Sequence, residues 1–230
     1  MDYSTILTEP MQRDDWVRTV LIGGLLLLFS FLLVPLLVAY GYVVRAIRSA
    51  MAEDAPAPAF DDWGGLLVDG VQGWVIGVVY LLVPAVVAGL TVGASVVAML
   101  TGGNAGVAAG IGGLFLGFTL SALLSVVFGY LAVVALVNFA REERFGAAFD
   151  VSVIKAVALD REYAIAWLVS AALFVVVGLL TVVPVIGWVL VPFGTFYAAL
   201  VAARLWADGF SRAMDSPGEG RRRRDEDPAI

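Results

Sequence analysis

Long apolar stretches alternate with short polar segments along most of this chain. No charged residue lies between Asp69 and Arg141, or between Glu162 and Arg204. An α-helix rises about 1.5 Å per residue, so about 20 apolar residues cross the roughly 30 Å hydrocarbon core of a bilayer. The pattern therefore predicts an all-α fold, a polytopic transmembrane helical bundle of about five spans. The predicted spans are residues 20–44, 73–100, 106–137, 163–183 and 185–206.

Prolines mark three predicted bends, because proline lacks a backbone N–H and interrupts helical hydrogen bonding. Pro35 lies within the first span, Pro84 within the second, and Pro184 at the corner between the last two. The first span has an alternative, a re-entrant hairpin bent at Pro35. Residues 106–137 would form about 48 Å of helix, which is longer than a bilayer is thick. A single helix that projects into the cytoplasm is favoured there over an irregular, glycine-rich start.

The polar segments complete the predicted organisation. Residues 1–19 form a polar N-terminal segment without the apolar core and cleavage site of a signal peptide, so we expect it to be retained. Residues 139–162 alternate charged with apolar side chains, which is typical of an amphipathic helix at the cytoplasmic membrane surface. Residues 207–230 are predicted to form a disordered, charged cytoplasmic tail.

The distribution of Lys and Arg predicts the orientation, because these residues accumulate in cytoplasmic segments. With five spans, two of the fourteen Lys and Arg residues lie on the side of the N-terminus and twelve on the side of the tail. If the first span is a re-entrant hairpin, all fourteen lie on one side. Both counts predict a multi-pass protein of the cell membrane with a cytoplasmic C-terminus.

Composition narrows the possible chemistry. The chain has no Cys and no His, which excludes disulfides, thiolate nucleophiles, histidine bases and the usual zinc sites. No ionisable group lies at membrane depth, where a proton-coupled carrier or an intramembrane hydrolase would need one. The net charge of −6, with thirteen Arg and one Lys, fits a saline cytoplasm and fits a GC-rich genome equally well. We expect no enzyme activity, cofactor, metal or nucleic-acid partner. The lipid bilayer is the predicted partner, with a homo-oligomer or another membrane protein as further candidates.

Small side chains recur every four residues along the third predicted span, which would let another helix backbone approach closely. Packing within the chain, against the second or fourth span, is favoured over packing against a second copy. The predicted helix-packing face is Ala109, Gly113, Gly117, Ser121, Ser125 and Gly129.

Charged and aromatic side chains collect at the predicted cytoplasmic rim. They could surround a vestibule, although a solvated rim is favoured, and no set of oxygen ligands follows the adjacent acids at a spacing typical of a cation site. The rim residues are Arg45, Asp61, Asp62, Trp63, Asp69, Arg141 and Arg204. Residues 60–68 and 149–157 begin alike, which suggests that an internal duplication placed an amphipathic helix before the second and fourth spans.

Several short motifs of the chain resemble one family. The most specific is Asp61-Asp62-Trp63-Gly64, and others are Phe145-Gly146-Ala147-Ala148-Phe149 and Pro184-Val185-Ile186-Gly187-Trp188. From about Pro10 to Met214 the chain is similar to the archaeal and bacterial multi-pass membrane proteins of the domain of unknown function 4013 family. The resemblance implies a membrane protein common in halophilic archaea, with no established activity and no catalytic residues.

Two functions fit these observations. The first is a non-catalytic integral membrane protein that serves as an assembly, envelope or accessory component. The alternative is a small permease or channel-like transporter with a pathway between the duplicated halves, near Pro84 and Pro184. A polar cavity that reaches the middle of the membrane would favour the transporter, and solid packing along the small face of the third span would count against it.

Overall fold

The computed structural model describes residues 3–12, 15–52 and 58–226, which form helices joined by short turns. Five of these helices are long and apolar enough to cross a membrane, and one shorter helix is also apolar. This confirms the predicted helical membrane bundle. The helices are α1 (Tyr3–Thr8), α2 (Trp16–Leu28), α3 (Val34–Met51), α4 (Trp63–Thr101), α5 (Gly103–Glu142), α6 (Val151–Ala158), α7 (Arg161–Leu179) and α8 (Ile186–Glu226).

The first predicted span is two helices instead of one. α2 ends at Leu28, a 3-10 segment covers Ser30–Leu32, and Leu33 adopts a φ of 59° before α3 starts. In a continuous helix the ring of Pro35 would clash with the preceding turn, whereas in the first turn of α3 its missing N–H costs no helical hydrogen bond. The prediction of one span over residues 20–44 is therefore wrong.

α2 and α3 lie side by side as an antiparallel pair. Phe196 of α8 lies against both helices, because a Cβ on Gly23 would overlap its ring and the ring of Tyr42 is 5.5 Å from it. A continuous helix would separate Gly23 from Tyr42 by about 28 Å. The chain therefore reverses direction between them, and α8 packs against α2, α3 and α7.

The chain divides into two compact units. The core unit comprises Met1–Trp74 and Val134–Ile230, and the hairpin unit comprises Val75–Val133. Two clusters of buried side chains hold α8 in the core unit, one formed with α3 and α4 and the other with α1 and α7. The first cluster is Val38, Ala39, Tyr42, Leu66 and Phe196, and the second is Ile6, Ala166, Val201 and Leu205.

α4 and α5 are single helices of 39 and 40 residues. α4 passes through Pro84 without interruption, and α5 contains the whole of residues 106–137. Residues 139–162 differ from the predicted surface helix, because they form the end of α5, a 3-10 segment over Phe145–Phe149, α6 and the start of α7. Asp150 and Asp160 explain why new helices begin at α6 and α7, since each carboxylate accepts hydrogen bonds from backbone N–H groups at the start of the helix that follows it.

α8 begins two residues after Pro184 and extends to Glu226. Ala207, Phe210 and Ala213 are buried, so the apolar face of α8 continues beyond Trp206 and holds the helix against the core unit. The prediction of a disordered tail is therefore wrong for residues 207–213. Residues 227–230 lie outside the described residues.

Candidate functional site at the charged rim

The Asp-Asp-Trp-Gly motif forms the start of α4. Asp62 precedes the helix, and its Oδ1 accepts a hydrogen bond from the Gly65 N–H at 3.0 Å. Asp61 supports this geometry, because its Oδ1 accepts from the Asp62 N–H at 2.9 Å. The ring of Trp63 lies 5.7 Å from that of Phe60. The motif thus caps a long helix whose first N–H groups have no partner within the helix.

Asp62 also pairs with α3 through its second carboxylate oxygen. Arg45 Nη2 donates to Asp62 Oδ2 and Arg45 Nε donates to Asp69 Oδ2, both at 2.8 Å. Gly65 leaves room for this arrangement, since a Cβ there would overlap the Arg45 guanidinium and the Asp62 carboxylate. The glycine after the motif is therefore explained by the ion pair beside it.

Arg48 extends the pairs to the end of α5. Its Nη2 lies 3.6 Å from Asp69 Oδ1 and its Nε lies 3.3 Å from Glu143 Oε1. The same Nε donates to the carbonyl of Ala140 at 3.3 Å. This set, named the rim cluster, joins the ends of three helices. Its members are Arg45, Arg48, Asp62, Asp69 and Glu143.

The electrostatics of the rim favour charged carboxylates. The hydrogen bond from Arg45, followed by that from the Gly65 N–H, holds the pKa of Asp62 below its ordinary value of 3.8. Hydrogen bonds from the Ser152 hydroxyl and the Val153 N–H likewise lower the pKa of Asp150. Both groups are therefore ionised at neutral pH, so neither is suited to act as a general acid there.

A close helix crossing lies beside the rim cluster. A Cβ on Gly41 of α3 would overlap the carbonyl of Leu66, and a Cβ on Gly70 of α4 would overlap the carbonyl of Leu37. The two backbones therefore touch at paired glycines. Sequence reasoning missed this crossing, although a glycine four residues before Arg45 and another directly after Asp69 were the available signal.

The other predicted rim residues have separate partners. Arg141 bonds Glu142 at 2.6 Å and lies over the ring of Phe210 at 5.3 Å. Arg204 lies 3.8 Å from Asp208 on its own helix. The charged residues of the predicted rim therefore form two kinds of contact: Arg45, Asp62 and Asp69 belong to the rim cluster, whereas Arg141 and Arg204 form local pairs.

Asn138 is a buried polar residue that sequence reasoning did not single out. It is 1% exposed, and its Nδ2 donates to the Ala147 carbonyl at 2.8 Å. This bond fastens the 3-10 segment Phe145–Phe149 to the end of α5. Nothing in the pattern distinguished Asn138 from a solvent-exposed residue at a helix end.

The small face of α5 lies against α4 within the hairpin unit. A Cβ on Gly113 would overlap the Ser95 hydroxyl, and a Cβ on Gly117 would overlap the Thr91 side chain. Ser121 is 7% exposed one turn further on. These three predicted residues therefore line one contact with a neighbouring helix of the same chain.

The remaining predicted positions of that face depart from the contact. Ala109 is exposed, and Gly110 lies against Ser95 and Met99 in its place. Ser125 is exposed and Gly129 faces open space. The reason is geometric, because a strict four-residue step turns by about 40° around a helix of 3.6 residues per turn. A contact face must mix steps of three and four.

An open groove of about 280 Å³ lies beside this contact in the hairpin unit. The Thr91 hydroxyl donates to the carbonyl of Val87 at 2.8 Å, so it is directed to its own helix. The groove therefore presents mainly carbon surface. Its lining residues are Thr91, Ala94, Ser95, Gly113, Leu116, Gly117 and Leu120.

The long apolar helices and their ion-paired rim define a helical membrane protein. Among the residues that the structure describes, no group of three or more His, Cys, Asp or Glu side chains is placed to hold a metal ion. A family described as a protein of unknown function, DUF4013, matches residues 24–186, and the chain belongs to this family. The comparisons with curated proteins and with solved structures gave no match.

Proposed function

We propose that this protein is a non-catalytic component of the cell membrane with an assembly, envelope or accessory role. Two hydroxyl groups of α5 carry the proposal. Thr119 donates to the Phe115 carbonyl and Ser125 to the Ser121 carbonyl, each at 2.8 Å and each within α5. A hydroxyl bonded to its own helix, without a base beside it, is not an activated nucleophile, and its proton is not available to donate to a passing solute.

The rim supports the same role. Its arginines and carboxylates are bonded to one another, and guanidinium groups stay protonated, so they do not serve as bases. The rim cluster fastens helix ends together, which suits a scaffold. The distribution of Lys and Arg further supports a cytoplasmic C-terminus, and the Arg-rich, acidic composition is compatible with a saline cytoplasm.

Reconstitution into liposomes tests this proposal against the transporter. Vesicles loaded with K⁺, a pH indicator and small fluorescent solutes should retain their contents as well as vesicles without protein do. Ala94→Trp is the matched variant, because Ala94 is exposed and lines the groove, so the added ring would fill the groove without entering the contact between α4 and α5. Vesicles with this variant should retain their contents as well as those with the unmodified protein. Release of a solute by the unmodified protein, abolished by Ala94→Trp, would establish a pathway and overturn the proposal.

A further inference from the structure

We infer that α2 and α3 form a re-entrant hairpin whose tip is inserted in lipid, so that the N-terminal segment lies on the same side of the membrane as the C-terminus. This inference is independent of the proposed function. It starts from the reversal between Gly23 and Tyr42, which both lie against Phe196.

The lengths of the two helices set the depth of the tip. α2 has 13 residues, or about 20 Å of helix. α3 is one of the five helices long enough in total to cross a membrane, but only 11 of its residues, or about 16 Å of helix, precede the ion-paired Arg45. The about 20 Å of α2 and these about 16 Å of α3 are both shorter than the roughly 30 Å hydrocarbon core. The turn between the two helices therefore lies within the bilayer.

The start of the chain lies at the charged end of the core unit. The Tyr197 hydroxyl donates to the Leu7 carbonyl at 2.6 Å. Ile6 is buried with Val201 and Leu205 of α8, next to Arg204. It also packs against Ala166, five residues after the start of α7 at Arg161. The N-terminal helix α1 is thus at the end of α7 and α8 that carries their arginines.

The distribution of basic residues agrees with this placement. Arg18 lies at the start of α2, at the end of the hairpin where α3 carries Arg45 and Arg48. With the N-terminus on the side of the tail, all fourteen Lys and Arg residues fall on one side of the membrane, against twelve and two for five spans. The positive-inside rule favours the former arrangement.

Lipid is the occupant that fits the tip of the hairpin. Phe31 is 74% exposed, and Leu32, Leu33 and Val34 are each more than half exposed. The hairpin packs along α8, which is itself long and apolar enough to cross the membrane. The exposed tip is therefore continuous with the lipid-facing surface of α8, where Trp188 is 67% exposed.

Single cysteines in this Cys-free chain test the inference in the full-length protein. Met11→Cys reports on the N-terminal segment, Ser211→Cys on α8 beyond the membrane, and Asn104→Cys on the turn between α4 and α5. We expect a membrane-impermeant maleimide to label Met11→Cys and Ser211→Cys from the same side and Asn104→Cys from the other. Ser4→Cys provides a second N-terminal reporter if Met11→Cys folds poorly.

The tip is tested with a fluorescent label on Phe31→Cys. Brominated lipids should quench this label more than aqueous iodide does, and iodide should quench a label on Ser211→Cys. Labelling of both N-terminal reporters from the side of Asn104 would overturn the hairpin. Preferential quenching of the Phe31→Cys label by iodide would overturn the insertion. Disulfide-linked dimers through Phe31→Cys would assign the tip to a second copy instead of lipid.

Discussion

At the scale of single residues, Asp62 serves α3 and α4 at once. One carboxylate oxygen caps α4 through Gly65, and the other pairs with Arg45 of α3. Asp62→Asn keeps an acceptor for the cap but removes the charge that faces Arg45. At pH 7 we expect the melting temperature of the variant to be roughly a few degrees lower than that of the unmodified protein.

The pH dependence of this difference follows from the lowered pKa of Asp62. A carboxyl whose pKa is depressed in the folded state stabilises that state above its ordinary pKa of 3.8, and this contribution is lost as pH falls through the depressed value. The melting temperatures of the two proteins, followed by circular dichroism in detergent, should therefore converge at acidic pH. Asp61→Asn, which keeps its acceptor for the Asp62 N–H, should match the unmodified protein throughout. A difference that persists at low pH would assign the effect to shape instead of charge.

Gly41 shows how one missing methyl group sets a helix crossing. Gly41→Ala would force its Cβ into the Leu66 carbonyl, a backbone atom that cannot move aside alone. We expect a loss of about 1–3 kcal/mol in the free energy of unfolding, the usual range for overpacking. Gly89→Ala is the matched control on α4, because a Cβ there meets open space. It should be neutral or slightly stabilising, since Ala favours helix over Gly. Equal melting temperatures for the two variants would contradict the close crossing.

At the scale of elements, two turns place a large apolar residue in the left-handed region. Leu33 precedes α3 with a φ of 59°, and Val185 precedes α8 with a φ of 64°. Left-handed conformation costs an L-residue about 1–2 kcal/mol, and it is most unfavourable for a β-branched side chain. Val185 is 69% exposed, so little packing offsets this cost.

Val185→Gly should therefore stabilise the protein, by about 1 kcal/mol, through relief of that strain. Val182→Gly is its control, because Val182 is similarly exposed and lies in the 3-10 segment that ends at this residue. We expect the control to be destabilised, since glycine gains only flexibility there. Thermal unfolding of both variants in one detergent is the measurement. A lower melting temperature for Val185→Gly would show that the turn tolerates valine without strain.

The pattern of apolar residues predicted some helices more accurately than others. The charge-free stretches placed α4, α5 and α7, because bilayer-length apolar runs have few other interpretations. Pro35 identified the break in the first span, but a proline does not fix the angle between the helices that flank it. That angle depends on Phe196, which is distant in sequence from Gly23 and Tyr42. Periodicity along one segment contains no information about such a contact.

At the scale of the whole molecule, the candidate site was also predictable from the sequence where it rests on local patterns, and not where it rests on contacts between distant segments. The Asp-Asp-Trp-Gly stretch was recognised as specific, and its residues lie at the rim cluster. The sequence did not reveal that Arg45 joins Asp62 to Asp69, since that requires the crossing of Gly41 and Gly70. Helix-capping residues and small faces are local patterns, whereas ion pairs between helices depend on how the helices are arranged.

The lengths of the helices lead to a further prediction about the molecule in its membrane. Asp69 is ion-paired at the rim, and Val97 lies 28 residues later in the uninterrupted α4, about 42 Å along the helix axis. Even if the helix tilts by about 40°, the component of this distance along the membrane normal is longer than the roughly 30 Å hydrocarbon core. Val97 is 60% exposed, so we expect Val97→Cys to react with a water-soluble maleimide added on the side of the turn at Gly102. Leu82→Cys, about 20 Å beyond Asp69 and 51% exposed, should stay protected. Protection of both positions would require a steeper tilt or a thicker bilayer around α4, and would show that its apolar length is accommodated within lipid.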